Sequence, residues 1–217
     1  MIKFRASALS EIMTDAKEKN EALSKGAKTA LEKMAKEFVY GYNELISGKY
    51  MDKGIIVEDE SIALYNSVFF TDYRKNTERK TNNWVTGECD IFTGSKIIDI
   101  KSSWSIATFP ATQESAAKQA KEAGYDWQGR AYMMLWDVDC FEVAFCMVNT
   151  PDELIKYEQP ELHYVDHIPE SLRVTTVTFE RDRELEEKIK FKVEAARKYL
   201  NDLVRAINEQ HDVLEAA

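Results

Sequence analysis

Two short apolar segments on either side of a tight turn constrain the fold of this chain more than any other feature. Residues 84–92 and 96–101 are rich in β-branched, aliphatic and aromatic side chains, and Thr93, Gly94 and Ser95 separate them. Segments of this length joined by a glycine-containing turn are typical of a β-hairpin. A hairpin is marginal by itself, so the sequence predicts a larger sheet at the centre of the molecule.

Helical periodicity surrounds the hairpin. Apolar residues recur at three- and four-residue steps in five segments: residues 25–47, 54–67, 112–121, 126–135 and 181–208. Gly48 suits the C-terminal end of the first helix, and the last helix is the longest. Strand-like runs occupy residues 67–70, 140–149 and 174–179. We therefore predict one α/β domain over residues 1–217, in which helices surround a central sheet.

Composition excludes several classes of protein. With 44% hydrophobic residues, 4 Pro and 8 Gly, the chain is neither disordered nor collagen-like. A net charge of −9 excludes a uniformly basic nucleic-acid coat but not a local basic groove. The three cysteines include no CxxC pair, so we expect buried free thiols in a reducing compartment. Without an apolar run of ~20 residues or a signal-like N-terminus, we expect a cytoplasmic protein with no membrane contact.

The hairpin carries the residues best suited to catalysis or metal binding. Side chains two apart in a strand share a face, so Asp99 and Lys101 emerge together while Ile98 and Ile100 point into the core. The partner strand can bring Asp90 beside Asp99. Two carboxylates are suitable ligands for Mg²⁺, and a lysine beside them can orient water or face a phosphate, so this site suits phosphodiester hydrolysis.

The acid-x-lysine pattern alone is weak, because it occurs four times in the chain, beginning at Asp15, Glu78, Asp99 and Glu186. Only the pair at Asp99 lies in an apolar strand preceded by an acid at hairpin distance. The alternative is a surface hairpin whose carboxylates point outward into solvent. We expect Glu88 to point to the strand face opposite Asp90, because the two residues are neighbours.

Two further segments add candidate site residues. Glu58 follows Gly54 on a predicted helix and could supply another carboxylate, although an acidic first helical turn also favours the helix dipole. Gln128 and Tyr132 stand one helical turn apart and could face a nucleic-acid backbone. The alternative for this helix is packing through Tyr132, with Gln128 at its edge.

Together these pieces resemble the PD-(D/E)XK nuclease superfamily, and more narrowly the phage exonucleases of the lambda exonuclease/YqaJ recombinase group, relatives of RecB-type nucleases. The resemblance covers roughly the first two thirds of the chain, on an ordered set of motifs: Phe4-Arg5-Ala6-Ser7, Gly54-x-x-x-Glu58, Asp90…Asp99-Ile100-Lys101 and Gln128-x-x-x-Tyr132. Two departures are the Cys89 that replaces the usual proline before Asp90, and Asp99 where glutamate is common.

The resemblance implies a restriction-endonuclease-like core with a mixed sheet. It implies DNA hydrolysis with Mg²⁺, or Mn²⁺ as a substitute, often 5′→3′ from duplex ends, by a protein that forms ring-shaped trimers and works with a single-strand annealing protein. The roles it implies fall on these residues: metal ligands Asp90, Asp99, Glu58 and the Ile100 carbonyl; catalytic Lys101; accessory Gln128 and Tyr132; and Ser7 and Arg5 near a 5′-phosphate. The four-cysteine set of the iron–sulfur relatives is absent, so no iron–sulfur cluster is expected.

DNA binding by an acidic chain requires concentrated positive charge where the phosphates lie. Candidates are Arg74, Lys75, Arg79, Lys80, Lys118, Lys121 and Arg130. Trp104 follows the catalytic lysine and could stack on a base, or could anchor its loop in the core. A metal-dependent DNA exonuclease is the leading hypothesis. The alternatives are an endonuclease of the same superfamily and a recombination protein that binds DNA without cutting it.

Overall fold

The computed structural model describes residues 2–42 and 48–215. Its helices are α1 (Ser10–Met13), α2 (Lys25–Tyr40), α3 (Lys49–Ile56), α4 (Glu58–Phe69), α5 (Gln113–Glu122), α6 (Tyr125–Trp136), α7 (Asp152–Ile155) and α8 (Arg183–Glu215). Its strands are β1 (Phe4–Arg5), β2 (Lys80–Thr81), β3 (Val85–Gly87), β4 (Ile91–Phe92), β5 (Ile97–Ser102), β6 (Cys140–Cys146) and β7 (Val174–Glu180). Within these residues, the helices are too short or too polar to cross a bilayer.

The central sheet has four strands in the order β4-β5-β6-β7. The predicted hairpin is present, because β4 and β5 pair antiparallel with Phe92 opposite Ile97. Strand β6 lies parallel to β5, and β7 returns antiparallel to β6. The sheet is therefore mixed and flanked by helices, as the family resemblance implies.

The predicted strand over residues 84–92 is two strands in different sheets. Strand β3 joins a small second sheet, where it pairs parallel with β1 and antiparallel with β2. Strand β4 belongs to the central sheet, and residues 88–90 connect the two without regular structure. The chain therefore bends just before β4, which frees Asp90 from the strand ladder.

Helices cover both faces of the central sheet. On one face, α6 packs directly on the strands with α2 and α8 nearby, in a core that includes Leu31, Met133, Phe141 and Val193. On the other face, α4 packs through Tyr65 against the side chains that β5 and β6 send to that side. Strand β5 is thus buried on both sides, so any charged residue on it must find a partner within the protein.

Two helix boundaries differ from the prediction for local reasons. Helix α2 ends at Tyr40, because Gly41 adopts the left-handed conformation with φ 65° and its N–H bonds to the carbonyl of Glu37. Residues 43–47 of the predicted helix lie outside the described residues. Gly48 precedes α3 and does not end α2. The predicted helix over residues 54–67 is two helices, α3 and α4, which meet at Val57.

The prediction of a strand over residues 67–70 is wrong. Those residues form the last turn of α4, which ends where Phe70 takes a left-handed conformation with φ 54°. Tyr65 and Val68 contact the second core cluster at helical spacing, so packing against the sheet favours the helix here. The cysteines are free, with Cys89 and Cys146 buried and Cys140 partly exposed.

Candidate active site

Asp90 lies at the point where the chain enters β4. Its Oδ2 accepts the main-chain N–H of Ile100 at 2.6 Å, in place of a carbonyl of the partner strand. Asn76 holds the same bend from outside, since its N–H donates to the Asp90 carbonyl at 2.7 Å and its side-chain amide donates to the Cys89 carbonyl at 3.0 Å. These bonds fix the Asp90 carboxylate against the edge of β5.

Asp99 and Lys101 share one face of β5, as strand periodicity predicts. Asp99 is 1% exposed, and its Oδ2 lies 2.7 Å from the Lys101 ammonium. That ammonium also lies 4.5 Å from the ring centre of Tyr125, at the start of α6. Ile98 and Ile100 point to the opposite face and join the core beneath α4.

The main-chain oxygen of Ile100 belongs to the same site. In a strand, the N–H and C=O of one residue point to the same side. Since Ile100 donates its N–H to Asp90, its carbonyl oxygen also points past the beginning of β4, where no strand covers it. The structure therefore places three oxygen ligands side by side: two carboxylates and one carbonyl.

The two carboxylates repel one another. Burial and the neighbouring Asp99 raise the pKa of Asp90 to about 8, against a smaller opposing effect of Lys101. Burial acts to lower the pKa of Lys101, but Asp99 and Asp90 outweigh it and raise that pKa above its ordinary value. Lys101 therefore stays protonated at neutral pH and neutralises only part of the acidic charge.

A divalent cation fits this set of donors. Asp99 Oδ2 is buried and accepts no well-aligned hydrogen bond, although Lys101 is near it. Among the described residues, no three His, Cys, Asp or Glu side chains converge, so the set is two carboxylates and a carbonyl. Mg²⁺ commonly binds through one or two carboxylates and keeps several waters, so two acids and a main-chain oxygen are sufficient.

Glu58 is the first residue of α4 and lines the same cleft as Asp90 and Lys101. Its carboxylate forms an ion pair with Lys75, from the polar segment before β2. Its charge contributes to the raised pKa of Asp90, which places it within electrostatic reach of the two aspartates.

The site opens into a cleft of about 490 Å³. One wall is α3, and the floor is the end of β5 with Asp90 beside it. The lining includes Tyr50, Met51, Gly54, Ile55, Glu58, Asp90, Ile100, Lys101, Trp104, Gln119 and Tyr125. Asp90, Ile100 and Lys101 are therefore open to solvent through this cleft.

For Gln128 and Tyr132 the structure favours the alternative of packing in the core over a direct contact with DNA. Both side chains are buried, at 8% and 4% exposure, because α6 turns this face onto the sheet. Gln128 donates to Asp99 Oδ1 at 3.4 Å and to the Tyr132 hydroxyl at 3.0 Å, and that hydroxyl donates to the Glu88 carbonyl at 2.9 Å. The pair therefore positions Asp99 and the bend before Asp90.

For Trp104 the structure favours the alternative of a loop anchor, and Arg130 lies away from the cleft. Trp104 is only 6% exposed; its indole N–H donates to Glu158 at 2.9 Å, and Tyr50 and His163 pack edgewise on it. It anchors its loop and is not free to stack on a base. Arg130 lies on α6 near Trp127 and donates to the carbonyl of Glu180 at 3.5 Å, outside the cleft lining.

Arg5 and Ser7 are exposed beside the bend that leads to Asp90. Arg5 pairs with Thr86 in the small sheet, and a Cβ at Gly87 would lie 3.0 Å from Ala6. Glu88 lies in the irregular segment before β4, so strand alternation does not set its direction, and its carboxylate pairs with Arg79 at 3.3 Å.

Sequence reasoning missed Tyr125 and the α3 wall. Tyr125 precedes Gln128 by three residues, so the helical spacing that selected Gln128 could have placed it on the same side of α6. For Tyr50 and Ile55 no comparable signal exists, because their position depends on the break between α3 and α4.

Comparisons with known proteins identify the family. No family model and no curated protein matches the chain. Among solved structures, a phage-related exonuclease from Haemophilus somnus 129PT is 39% identical, with 95% of this chain and 96% of that chain covered and a TM-score of 0.90.

The alkaline exonuclease LHK-Exo from Laribacter hongkongensis shares the fold at 15% identity, over 98% of this chain and 94% of that one, with a TM-score of 0.65. Its complex with dAMP aligns at 17% identity over the same shares, with a TM-score of 0.64. Full-length similarity to the Haemophilus protein, together with the acid–acid–lysine site, shows that the chain belongs to the phage exonuclease family of PD-(D/E)XK nucleases.

Proposed function

We propose that this protein is a divalent-metal-dependent DNA exonuclease that hydrolyses phosphodiester bonds at the ends of linear duplex DNA. One observation carries the proposal: Asp90, Ile100 and Lys101 line the floor of one open cleft, and the buried Asp99 lies 2.7 Å behind the Lys101 ammonium. The family of the chain supports exonuclease activity.

Each residue of the site has a separate role in the proposed reaction. Asp90, Asp99 and the Ile100 carbonyl would hold Mg²⁺, or Mn²⁺ in its place, with Glu58 as a further carboxylate nearby. The ion would supply Lewis-acid stabilisation of charge on the scissile phosphate. Lys101 keeps its proton, because Asp99 and Asp90 raise its pKa, so it acts as a cation and hydrogen-bond donor toward phosphate or water and not as a base.

Positioning residues support this arrangement. Gln128 donates to Asp99, and Tyr125 lies beneath the Lys101 ammonium. Arg5 and Ser7 are exposed next to the bend before Asp90, which supports a role for them in binding a terminal 5′-phosphate. The 5′→3′ direction rests on the family resemblance and belongs to the proposal.

The proposal also covers the oligomeric state, the partner protein and the cellular location of the enzyme. We propose one nuclease domain over residues 1–217, a ring-shaped homotrimer and a single-strand annealing protein as partner. Support for the trimer is the family and the exposure of Phe70 (96%) and Phe38 (71%). We place the enzyme in the cytoplasm, where its DNA substrate occurs and where its free thiols are stable.

Lys101→Met tests the chemistry. The variant keeps the side-chain length but removes the ammonium, so we expect Mg²⁺-dependent degradation of end-labelled linear duplex to fall at least ~100-fold. Lys17→Met is the matched control, because Lys17 ends another acid-x-lysine triplet on the exposed surface and its loss should leave the rate unchanged. Wild-type rates in Lys101→Met would contradict the mechanism.

A covalently closed circular duplex distinguishes the alternatives. An exonuclease leaves it intact while it degrades the same DNA after linearisation. An endonuclease of the superfamily would nick or cut the circle. Binding to both forms without turnover in Mg²⁺ or Mn²⁺ would identify a recombination protein that does not cut.

A further inference from the structure

Lys53 is a buried lysine on α3 whose ammonium binds uncharged acceptors. It is 1% exposed and donates to the carbonyls of Ser103 at 2.6 Å, Val148 at 2.9 Å and Trp104 at 3.2 Å, and to the Thr150 hydroxyl at 2.9 Å. Burial lowers the pKa of Lys53 to about 8. A buried charge is unfavourable unless its hydrogen bonds are complete, and here four acceptors surround three N–H groups.

The acceptors come from two loops that leave the central sheet together. Ser103 and Trp104 directly follow β5, the strand of Asp99 and Lys101. Val148 and Thr150 follow β6, which runs parallel beside it. The hydrogen bonds of the Lys53 ammonium therefore connect α3 to the segments that follow both strands, next to the cleft.

Helix α3 has little other attachment. Of its eight residues, all within the described part of the chain, Lys53 alone is buried. Its apolar side chains are largely exposed, with Ile55 68% and Ile56 52% exposed, and Tyr50, 62% exposed, adds one edgewise contact with Trp104. Val57 anchors the junction with α4, and Lys49 pairs with Glu158 in a half-exposed ion pair of the kind that contributes little.

We propose that Lys53 is a positioning residue that holds α3 in place as the wall of the DNA cleft. The proposal rests on the proposed nuclease function for its kinetic consequence, but not for its structural one. Tyr50 and Ile55 line the cleft from α3, opposite Lys101. When α3 detaches, the catalytic groups on β5 keep their partners from α6, so DNA binding weakens while the chemical step is retained.

Lys53→Met tests this with a side chain of similar length and no donor. We expect amide hydrogen exchange of residues 49–56 to accelerate at least tenfold, with β5 and α6 unchanged. We expect KM for linear duplex to rise about tenfold while kcat and the Mg²⁺ requirement stay within about threefold of wild type.

Lys192→Met is the matched control. Lys192 is also buried, at 3% exposure, and donates to a main-chain carbonyl, that of Thr14 at 3.0 Å, but it lies on α8 away from the cleft lining. Its loss should leave KM and α3 exchange unchanged. Equal KM changes in the two variants would reduce Lys53 to a general stabilising residue and overturn the proposal.

Thr150→Val provides a milder variant if Lys53→Met does not fold. It removes one of the four acceptors with little change of shape, and we expect smaller changes of the same kind: faster α3 exchange and a KM raised about two- to threefold. Unchanged α3 exchange in Thr150→Val would count against the proposal. If the wild type degrades no DNA, the nuclease proposal fails, and hydrogen exchange still decides the role of Lys53.

Discussion

Asp90, Asp99 and Lys101 reach one point because of two rules of strand geometry. The two-residue period of β5 sets Asp99 and Lys101 on one face, and antiparallel pairing with β4 brings Asp90 beside them. Burial makes the two carboxylates unfavourable together, because the Lys101 ammonium neutralises only part of their charge and Asp99 Oδ2 lacks an aligned donor. At the scale of single residues, this partly neutralised acidic charge supports the proposed cation site.

Asp90→Asn makes this testable by stability alone. The pKa of Asp90 is raised from 3.8 to about 8 by burial and by Asp99. A carboxyl with a raised folded pKa stabilises the fold below its unfolded pKa, and this contribution is lost as the pH rises through about 8. In EDTA, we expect wild type to lose about 4 kcal/mol more unfolding free energy than Asp90→Asn between about pH 5 and about pH 9, because about three pH units below the folded pKa contribute about 1.4 kcal/mol each.

Chemical denaturation across this pH range measures the difference. Added Mg²⁺ should restore the stability of the wild type at the alkaline end, and should do so much less for Asp90→Asn. Parallel pH profiles for the two proteins would show that the carboxylates do not repel one another in the folded state.

Tyr125 is expected to orient the Lys101 ammonium through its ring, 4.5 Å away. A cation–π contact contributes about 1 kcal/mol, so Tyr125→Leu should lower kcat about fivefold. Tyr125→Phe keeps the ring and should retain the wild-type kcat. If the two variants lose the same activity, the hydroxyl and not the ring is the important group.

At the scale of elements, α6 and the α3–α4 pair decide how the cleft is shaped. Helix α6 lies close enough to the sheet for Gln128 to reach Asp99, because Gly129 allows Phe141 of β6 to pack against the helix backbone. The break at Val57 sets α3 at the rim and places Glu58 at the start of α4. Each helix thus delivers side chains to the site from a different side.

Gly129→Ala tests the close approach of α6. A Cβ at this position would lie 1.9 Å from Phe141 Cδ1, so the helix must move, at a cost of about 2–3 kcal/mol in unfolding free energy. We also expect kcat to fall, since Gln128 moves with the helix. In Gly26→Ala the nearest atom is Ser24 Oγ at 3.8 Å, and we expect a small gain of about 0.5 kcal/mol. Thermal and chemical denaturation measure the stabilities of the Gly129→Ala and Gly26→Ala variants. Similar stabilities for the two would contradict the close packing of Gly129 against Phe141.

At the scale of the whole molecule, the chain has a net charge of −9 and repels DNA over most of its surface. DNA can therefore bind only where positive charge is concentrated. Other exposed apolar side chains lie outside the cleft lining, with Phe70, Phe38 and Leu172 among them. Burial of such side chains between copies is the physical basis for the proposed trimer.

Sedimentation velocity tests the assembly, with an expected mass about three times the 25.0 kDa of one chain. Phe70→Asp is the informative variant, because the residue is 96% exposed in a left-handed conformation that aspartate tolerates. We expect it to weaken association without loss of fold. A wild-type monomer at micromolar concentration would contradict the trimer, whereas an intact trimer in Phe70→Asp would move the interface away from that residue.

The sequence by itself determined the features that depend on local backbone geometry. The hairpin around Gly94 and the shared face of Asp99 and Lys101 follow from the strand period and the turn. The order of the motifs was sufficient to indicate the family.

Only the tertiary structure decided which surfaces are buried. Gln128, Tyr132 and Trp104 are polar or aromatic at positions that local pattern allows on either side of an element, and packing against distant segments turned them inward. The α3 wall and the partners of Lys53 likewise depend on loops about 50 to 100 residues away. Helix and strand periods act between neighbours in sequence, whereas burial depends on contacts between segments that the chain brings together only on folding.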